Sequence, residues 1–197
     1  MADAVCRSPD GVSAVVFDVD GTLYPQSALA SIDSGYPTAA VAEIVELWTE
    51  RAPLDVIDAA RWQGVSECLQ MLRRRGVRLG ALSGYPAHEK LRAMGLDSLF
   101  DAVVCAQDGG VGRFKPDSAG LRMVLERLGV PPDRAVYIGD RPDVDAPAAR
   151  GAGARCYIIG RPGAHGAGWT GVQDYAELGI LFESVMQPER GERCRTR

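Results

Sequence analysis

The sequence predicts an α/β fold in which a doubly wound parallel sheet carries a small helical insertion. Short apolar, β-prone runs alternate with segments of helical periodicity, a pattern typical of right-handed βαβ crossovers. The first apolar run is followed at once by Asp18-Val19-Asp20. Because ligands of open α/β sheets bind beside the carboxyl ends of the strands, these acids are expected at a binding site.

The first elements of the sheet are predicted from apolar runs and helix-ending signals. Residues 14–17, Ala-Val-Val-Phe, suit a strand that is buried on both faces. A helix begins near Gln63 and ends in three arginines before Gly76, since cations and glycine are typical of helix C-termini. The second strand follows at residues 77–82.

The second half of the core continues the alternation. Pro86 opens a helix that extends to about residue 94. Asp117 is expected to cap a helix that ends at Gly129, and Asp143 to cap a later one. The remaining elements are strands at residues 102–105, 135–138 and 155–159, and a helix at residues 144–150 in which Pro147 must lie in the first turn.

Residues 24–62 fit neither the strand nor the helix of a βαβ unit. Residues 38–49 place apolar side chains on one face of a predicted helix, and residues 54–60 are a candidate for a second. Six acidic residues and two arginines in this insertion either solvate outer helix faces or face a cleft. The predicted division is a core of residues 1–23 and 63–186, the insertion, and a disordered tail of residues 187–197.

Length and charge limit the class of protein. A chain of 197 residues is long enough for one α/β domain with its own core. A net charge of −4 argues against nucleic acid as a partner. Without a signal-peptide pattern or an apolar run near the roughly 20 residues of a membrane span, we expect no membrane partner. The five cysteines lack metal-like spacing, so reduced thiols and a cytoplasmic location are expected.

Four motifs in order carry a family resemblance. Asp18-Val19-Asp20-Gly21-Thr22 follows the first strand, Ser83-Gly84 the second, and Lys115-Pro116 precedes a helix, while Gly139-Asp140 starts an acidic loop that reaches Asp145. With these motifs the chain resembles the haloacid dehalogenase-like (HAD) superfamily, in its phosphatase branch, over residues 12–159. The resemblance implies a HAD-like Rossmannoid core, with residues 24–62 as a short C1-type cap.

The resemblance also implies how the motif residues act. Asp18 matches the nucleophile, which forms an aspartyl-phosphate, and Asp20 matches the general acid/base. Ser83 and Lys115 match residues that bind the transferring phosphoryl group, and backbone donors near Asp18 and Gly84 would add an anion nest. The implied substrate-binding residues are Val19, Asp20, Ser83, Gly84 and Lys115.

The implied cofactor is Mg²⁺, which suits an all-oxygen site with open positions. Its implied ligands are a carboxylate oxygen of Asp18, the main-chain carbonyl of Asp20 and the carboxylate of Asp140. Asp145 is expected either to ligate through water or to orient Lys115.

These implications predict a magnesium-dependent phosphatase that hydrolyses a small-molecule phosphate monoester, as a monomer or homodimer. A phosphomutase of the superfamily uses the same acids but must exclude water, which a short cap makes harder. A non-catalytic phospho-ligand-binding or regulatory domain is the alternative from another class. A degenerate copy would have lost a charged catalytic residue, and this chain has lost none.

Two positions depart from the family pattern. Gly84 and Val144 stand where asparagine is common, and neither change removes a charged group. Tyr85 is expected to pack in the core or a loop rather than face the site, and His88 and His165 are expected at the surface.

Overall fold

The computed structural model describes residues 11–25 and 54–185. The strands within these ranges are β1 (Ala14–Asp18), β2 (Arg78–Ser83), β3 (Ala102–Cys105), β4 (Ala135–Gly139), β5 (Arg155–Ile159), β6 (His165–Gly166) and β7 (Trp169–Val172). The helices are α1 (Leu54–Ala60), α2 (Val65–Arg74), α3 (His88–Ala93), α4 (Ala119–Leu128), α5 (Asp145–Ala152) and α6 (Tyr175–Val185), with 3₁₀ turns at Asp97–Leu99 and Pro132–Arg134.

The seven strands form one sheet in the order β3-β2-β1-β4-β5-β7-β6. All neighbours are parallel except β6 and β7, which pair antiparallel. The strand β1 lies in the interior of the sheet, third in this order, with Phe17 beside Ala81 of β2 and Ile138 of β4. The predicted α/β fold with a parallel sheet is confirmed, and β1 and β4 are neighbours in it.

Side chains of β1 alternate between two hydrophobic clusters, one on each face of the sheet. Val15 and Phe17 belong to a cluster that includes residues of α2 and α6, whereas Ala14 and Val16 belong to one that includes residues of α4 and α5. Successive residues of a strand point to opposite faces, so helices on both sides bury every side chain of β1. Because both faces of β1 are packed, the position of Asp18 at its carboxyl end is fixed.

The predicted helix ends agree with the structure. Gly76, at φ +75°, follows α2, and the amide of Val77 donates to the Leu72 carbonyl at 3.1 Å. Gly129, at φ +63°, ends α4 in the same left-handed conformation. At the start of α4, Oδ1 of Asp117 accepts a hydrogen bond from the Ala119 amide at 2.8 Å, so its capping role is confirmed.

Two expectations about the second half of the core were wrong or incomplete. Asp143 is exposed and does not cap α5, which follows Val144 without a side-chain cap; Pro147 does lie in the first turn. No element was predicted beyond residue 159, yet β6, β7 and α6 follow there. The hairpin strands are short and rich in glycine, so they carry little periodic signal.

The part of the predicted insertion that the structure describes includes α1, which confirms the helix at residues 54–60. Ile57 of α1 is buried, and α1 packs against α3. Asp58 is exposed and pairs with Arg61 at 2.8 Å. The predicted helix at residues 38–49 and the tail at residues 187–197 lie outside the described residues, and the division into core and cap stays a prediction.

In the described ranges, no helix combines the length and the apolar composition that crossing a bilayer requires. Cys68, Cys105 and Cys156 are buried free thiols. Burial raises the pKa of Cys68 and of Cys156 to about 12, so these two thiols stay protonated at neutral pH.

Candidate active site

Three neighbouring strands bring the predicted site residues to one edge of the sheet. Asp18 is the last residue of β1, Ser83 is the last residue of β2, and Asp140 directly follows β4. Parallel strands end together, so residues 65 and 122 positions from Asp18 in sequence lie beside it. Lys115 reaches the same edge from the segment that precedes α4.

A buried ion pair joins Asp18 to Lys115. The Nζ atom of Lys115 lies 2.5 Å from Oδ1 of Asp18 and 2.7 Å from Oδ1 of Asp145. The side chains of Lys115, Asp18 and Asp145 are 7%, 4% and 0% exposed. Such burial is costly unless each charge is paired and hydrogen-bonded, and one ammonium group here compensates two carboxylates.

The pKa of Asp18 is raised chiefly by burial and secondarily by neighbouring negative charge. Burial raises the pKa of Asp18 to about 7, with a further contribution from Asp145, although Lys115 opposes the shift. Burial acts to lower the pKa of Lys115, but the attraction of Asp18 and Asp145 outweighs it and raises the value. The site therefore has a permanent cation and an incompletely compensated acid cluster.

The same cluster fits a hard divalent cation. Asp18, Asp140 and Asp145 each offer one oxygen, and these oxygens lie within 4.8 Å of one another. Burial raises the pKa of Asp140, as does the neighbouring negative charge of Asp145. An all-oxygen donor set with unbalanced negative charge is the chemistry that Mg²⁺ prefers, so the residues present fit the ion implied by the resemblance.

Gly21 lets the motif turn approach Asp140. Its φ is +92°, and a Cβ atom at this position would lie 2.3 Å from Oδ2 of Asp140. Two side chains hold the turn from outside: the hydroxyl of Tyr175 donates to the Thr22 carbonyl at 2.8 Å, and Nε1 of Trp62 donates to the Gly21 carbonyl at 3.3 Å. The turn that follows Asp18 is therefore braced by α6 and by the segment between α1 and α2.

The hydrogen bonds of Asp145 support one of its two predicted roles. Oδ2 accepts from the amides of Asp140 at 3.1 Å and Arg141 at 2.9 Å, while Oδ1 contacts Lys115 and the hydroxyl of Tyr137. Both carboxylate oxygens are thus already engaged with donors. This arrangement favours the orientation of Lys115 and of the loop after β4 over ligation through water.

The carboxylate of Asp20 does not contact Lys115 but has donors of its own. Oδ2 accepts from the hydroxyl of Ser83 at 3.0 Å, and Oδ1 accepts from Nζ of Lys90 at 2.6 Å and from the hydroxyl of Tyr24. In this structure Ser83 therefore contacts Asp20. Its predicted bond to a phosphoryl oxygen stays a prediction.

Four residues of the site were not assigned a role from the sequence: Thr22, Tyr24, Lys90 and Tyr137. The Thr22 hydroxyl donates to Oδ2 of Asp18 at 3.2 Å, and the Tyr137 hydroxyl accepts from Lys115 at 3.0 Å. Burial raises the pKa of Tyr24 and of Tyr137, so both hydroxyls keep their protons. One feature of the sequence sets Lys90 apart: lysine occurs at only two positions of the chain, and the other is Lys115.

The structure also places the other residues that the sequence analysis named. Val19 is buried, and its carbonyl accepts from the Leu23 amide at 3.0 Å. Gly84 is partly buried below Phe114, whose ring lies 6.0 Å from that of Tyr85. Tyr85 therefore packs in a loop, as expected. His88 and His165 are exposed, also as expected.

Comparisons with known proteins agree with this arrangement. A family model described as haloacid dehalogenase-like hydrolase matches residues 29–153, a range that includes Ser83, Lys115, Asp140 and Asp145 and begins after Asp18. Phosphoglycolate phosphatase from Rhodospirillum rubrum is 33% identical over 137 residues, covering 66% of this chain and 54% of that protein. Glyceraldehyde 3-phosphate phosphatase from Methanopyrus kandleri is 30% identical, covering 72% of this chain and 81% of that protein. The chain thus spans about half the length of the first relative and most of the second.

Solved structures share the fold. A HAD phosphatase from Thermococcus onnurineus superposes with a TM-score of 0.67 at 24% identity, covering 87% of this chain and 98% of that one. A HAD family hydrolase from Deinococcus radiodurans R1, solved with bound phosphate and sodium, superposes with a TM-score of 0.68 at 22% identity. The match covers 91% of this chain and 99% of that one. Sequence match, fold and the placement of the motif residues lead to one conclusion. The chain belongs to the haloacid dehalogenase-like hydrolase family.

Proposed function

We propose that this protein is a magnesium-dependent phosphatase that hydrolyses a small-molecule phosphate monoester through an aspartyl-phosphate on Asp18. The observation that carries the proposal is the buried contact of 2.5 Å between Lys115 and Asp18 beside the oxygens of Asp140 and Asp145. The named relatives at 30% identity or more support it, since they include phosphoglycolate, glyceraldehyde 3-phosphate and phosphoserine phosphatases.

The chemistry begins with the charge of the substrate. A phosphate monoester is negatively charged and repels a carboxylate nucleophile unless cations and fixed donors compensate that charge. Lys115 supplies a permanent positive charge next to Oδ1 of Asp18. Bound Mg²⁺, held by Asp18, Asp140 and the main-chain carbonyl of Asp20, would neutralise further charge on the phosphoryl oxygens.

Asp18 and Asp20 divide the reaction into two displacements. In the first, an oxygen of Asp18 bonds to phosphorus, the ester P–O bond breaks, and Asp20 gives a proton to the departing alkoxide. In the second, Asp20 takes a proton from water, the water oxygen bonds to phosphorus, and the bond between Asp18 and phosphorus breaks. Inorganic phosphate leaves and both acids return to their starting states.

The phosphomutase alternative has weaker support. A putative β-phosphoglucomutase from Thermotoga maritima superposes with a TM-score of 0.63, but its 23% identity shows the fold alone. The phosphatases named above are more similar in sequence. Hydrolysis is therefore the proposed outcome of the phosphoenzyme.

The proposed setting of the enzyme is the cytoplasm, with a small molecule as its partner. The free thiols of Cys68, Cys105 and Cys156 support a reducing compartment. Sugar phosphates, nucleoside monophosphates and phosphorylated biosynthetic intermediates are the substrate classes to compare.

A screen of phosphate monoesters with released phosphate as the readout tests the proposal. We expect release from at least one class with Mg²⁺ present, and none from the Asp18→Asn variant. Equal release by both proteins, or none by the wild type from any monoester, would reject the proposed function.

A further inference from the structure

Lys90 is a buried cation on the short helix α3, whose other polar side chains are exposed. Its side chain is 1% exposed, whereas His88, Glu89 and Arg92 of α3 lie at the surface. A lysine is almost never fully buried unless it is paired, because the ammonium group loses its hydration. The described partner of Lys90 is Asp20, 2.6 Å from its Nζ atom.

The use of lysine in this chain is selective. The 22 cationic residues include only two lysines, Lys90 and Lys115, and the others are arginines. Both lysines are buried, and each contacts one carboxylate of the first motif, Lys115 that of Asp18 and Lys90 that of Asp20. An ammonium group is a compact charge on a flexible stem, so it can direct a point charge at a single carboxylate oxygen.

Three donors from separate parts of the chain hold the carboxylate of Asp20. Lys90 and Tyr24 donate to Oδ1, and Ser83 donates to Oδ2. The side chain of Asp20 is 15% exposed, so one face of it remains open. This arrangement fixes the plane of the carboxylate while leaving room for a reacting group.

The hydroxyl of Ser83 cannot donate to Asp20 and to a phosphoryl oxygen of the substrate at the same time. A serine hydroxyl has one proton, and the Ser83 oxygen already accepts from the Tyr85 amide at 3.1 Å. The proton therefore goes to Asp20 in this structure. If Ser83 turns that proton to a phosphoryl oxygen, Asp20 loses its Oδ2 donor and depends on the donors at Oδ1.

We propose that Lys90 is a positioning residue that holds the carboxylate of Asp20 in place when Ser83 donates to the substrate. This inference rests on the proposed phosphatase function. Among the described residues Lys90 makes no hydrogen bond or ion pair with Asp18, Lys115 or Asp140, so it acts through Asp20. Tyr24, the second donor at Oδ1, carries no charge and gives a weaker hydrogen bond.

The test compares Lys90→Met with Arg92→Met, a matched change at an exposed position of the same helix. With a substrate that has a poor leaving group, such as an alkyl phosphate, Lys90→Met should lower kcat by about 10- to 100-fold. KM should change by less than about 3-fold, because on this proposal Lys90 acts through Asp20 and not on the substrate. Arg92→Met should leave both constants at the wild-type values.

A double-mutant cycle separates positioning from a general structural effect. With the same activated aryl phosphate as the substrate for all four proteins, Lys90→Met should lower turnover by less than about 2-fold in the Asp20→Asn background, and by more than that in the wild-type background. Lys90→Gln, which keeps a donor but not the charge, gives a second variant, and melting temperatures show whether each protein folds.

Each outcome bears on one proposal. Wild-type kcat in the folded Lys90 variants, an equal fold loss in the Asp20→Asn background, or failure of both Lys90 variants to fold would overturn the positioning role. Absence of phosphate release from the wild type would instead reject the phosphatase proposal. The two kinds of failure are distinguishable, because the absence of phosphate release is measured on the wild type and the other outcomes are measured on the variants.

Discussion

Nζ of Lys115 lies 2.5 Å from Oδ1 of Asp18, at the carboxyl end of the interior strand β1. The same ammonium group contacts Asp145 and the hydroxyl of Tyr137. This lysine therefore joins the segment before α4 to β1, to β4 and to the first residue of α5. Changes to any member of this network should alter both activity and stability.

Asp18→Asn should abolish phosphate release, with a loss of at least about 10³-fold, because an amide cannot displace the leaving group at phosphorus. The side chain keeps its size, so the fold and magnesium-dependent ligand binding should persist. Phosphate release, circular dichroism and ligand titration check this. Substantial turnover by the variant, after deamidation has been excluded by mass spectrometry, would remove Asp18 from the nucleophile role.

Asp20→Asn should lower turnover by about 10²- to 10⁴-fold on substrates with poor leaving groups. An activated aryl phosphate needs little protonation when it departs, so phosphoenzyme formation from it should suffer less. Rapid-quench measurements of phosphoenzyme formation compare the two substrates. Equal losses would contradict the acid role of Asp20.

Activity should disappear when a chelator is added and return with Mg²⁺. Asp140→Ala should raise the Mg²⁺ concentration needed for half activity by at least about 10-fold, or eliminate activity. Asp143→Ala is the matched control, because Asp143 is an exposed acid of the same loop. This substitution should leave the Mg²⁺ requirement unchanged. Full activity of the wild type in excess chelator would rule out the metal requirement.

Tyr137→Phe should destabilise the protein by about 1 kcal/mol, because the buried hydroxyl bridges Lys115 and Asp145. With Lys115 held less firmly, kcat should fall by about 3- to 10-fold. Tyr157→Phe on β5 is the control, since the Tyr157 hydroxyl has no hydrogen bond with the described residues. Denaturant unfolding and kinetics measure the two effects, and equal behaviour of both variants would contradict the bridging role.

The pH dependence of stability should differ between the wild type and Asp18→Asn in metal-free buffer. Burial raises the pKa of Asp18 from 3.8 to about 7, so its contribution to stability is fully present below about pH 4. That contribution is lost as the pH rises through 7. The free energy of unfolding of the wild type should therefore fall more steeply between pH 5 and 8 than that of the variant, whose amide does not titrate. Parallel curves from denaturant titrations would contradict the shifted pKa.

The sequence by itself determined the class of fold and the ends of the central strands. Apolar runs interrupted by helical segments predict a parallel sheet, and the carboxyl ends of such strands must meet at one edge. This local information puts Asp18, Ser83 and Asp140 at one edge of the sheet, and the resemblance to the family assigns them to a common site. Lys115 was found through its motif, because nothing local to that segment indicates where its side chain points.

Only the tertiary structure decided which donor serves which acid. The burial of Lys90 depends on how the six residues of α3 pack against α1 and, through Leu91, into the hydrophobic cluster, and periodicity in so short a helix does not define a face. The bond from Ser83 to Asp20 joins residues 63 positions apart, and that from Lys115 to Asp145 joins residues 30 positions apart. Side-chain partners across such distances depend on packing in three dimensions, whereas strand ends depend on a pattern repeated along the chain.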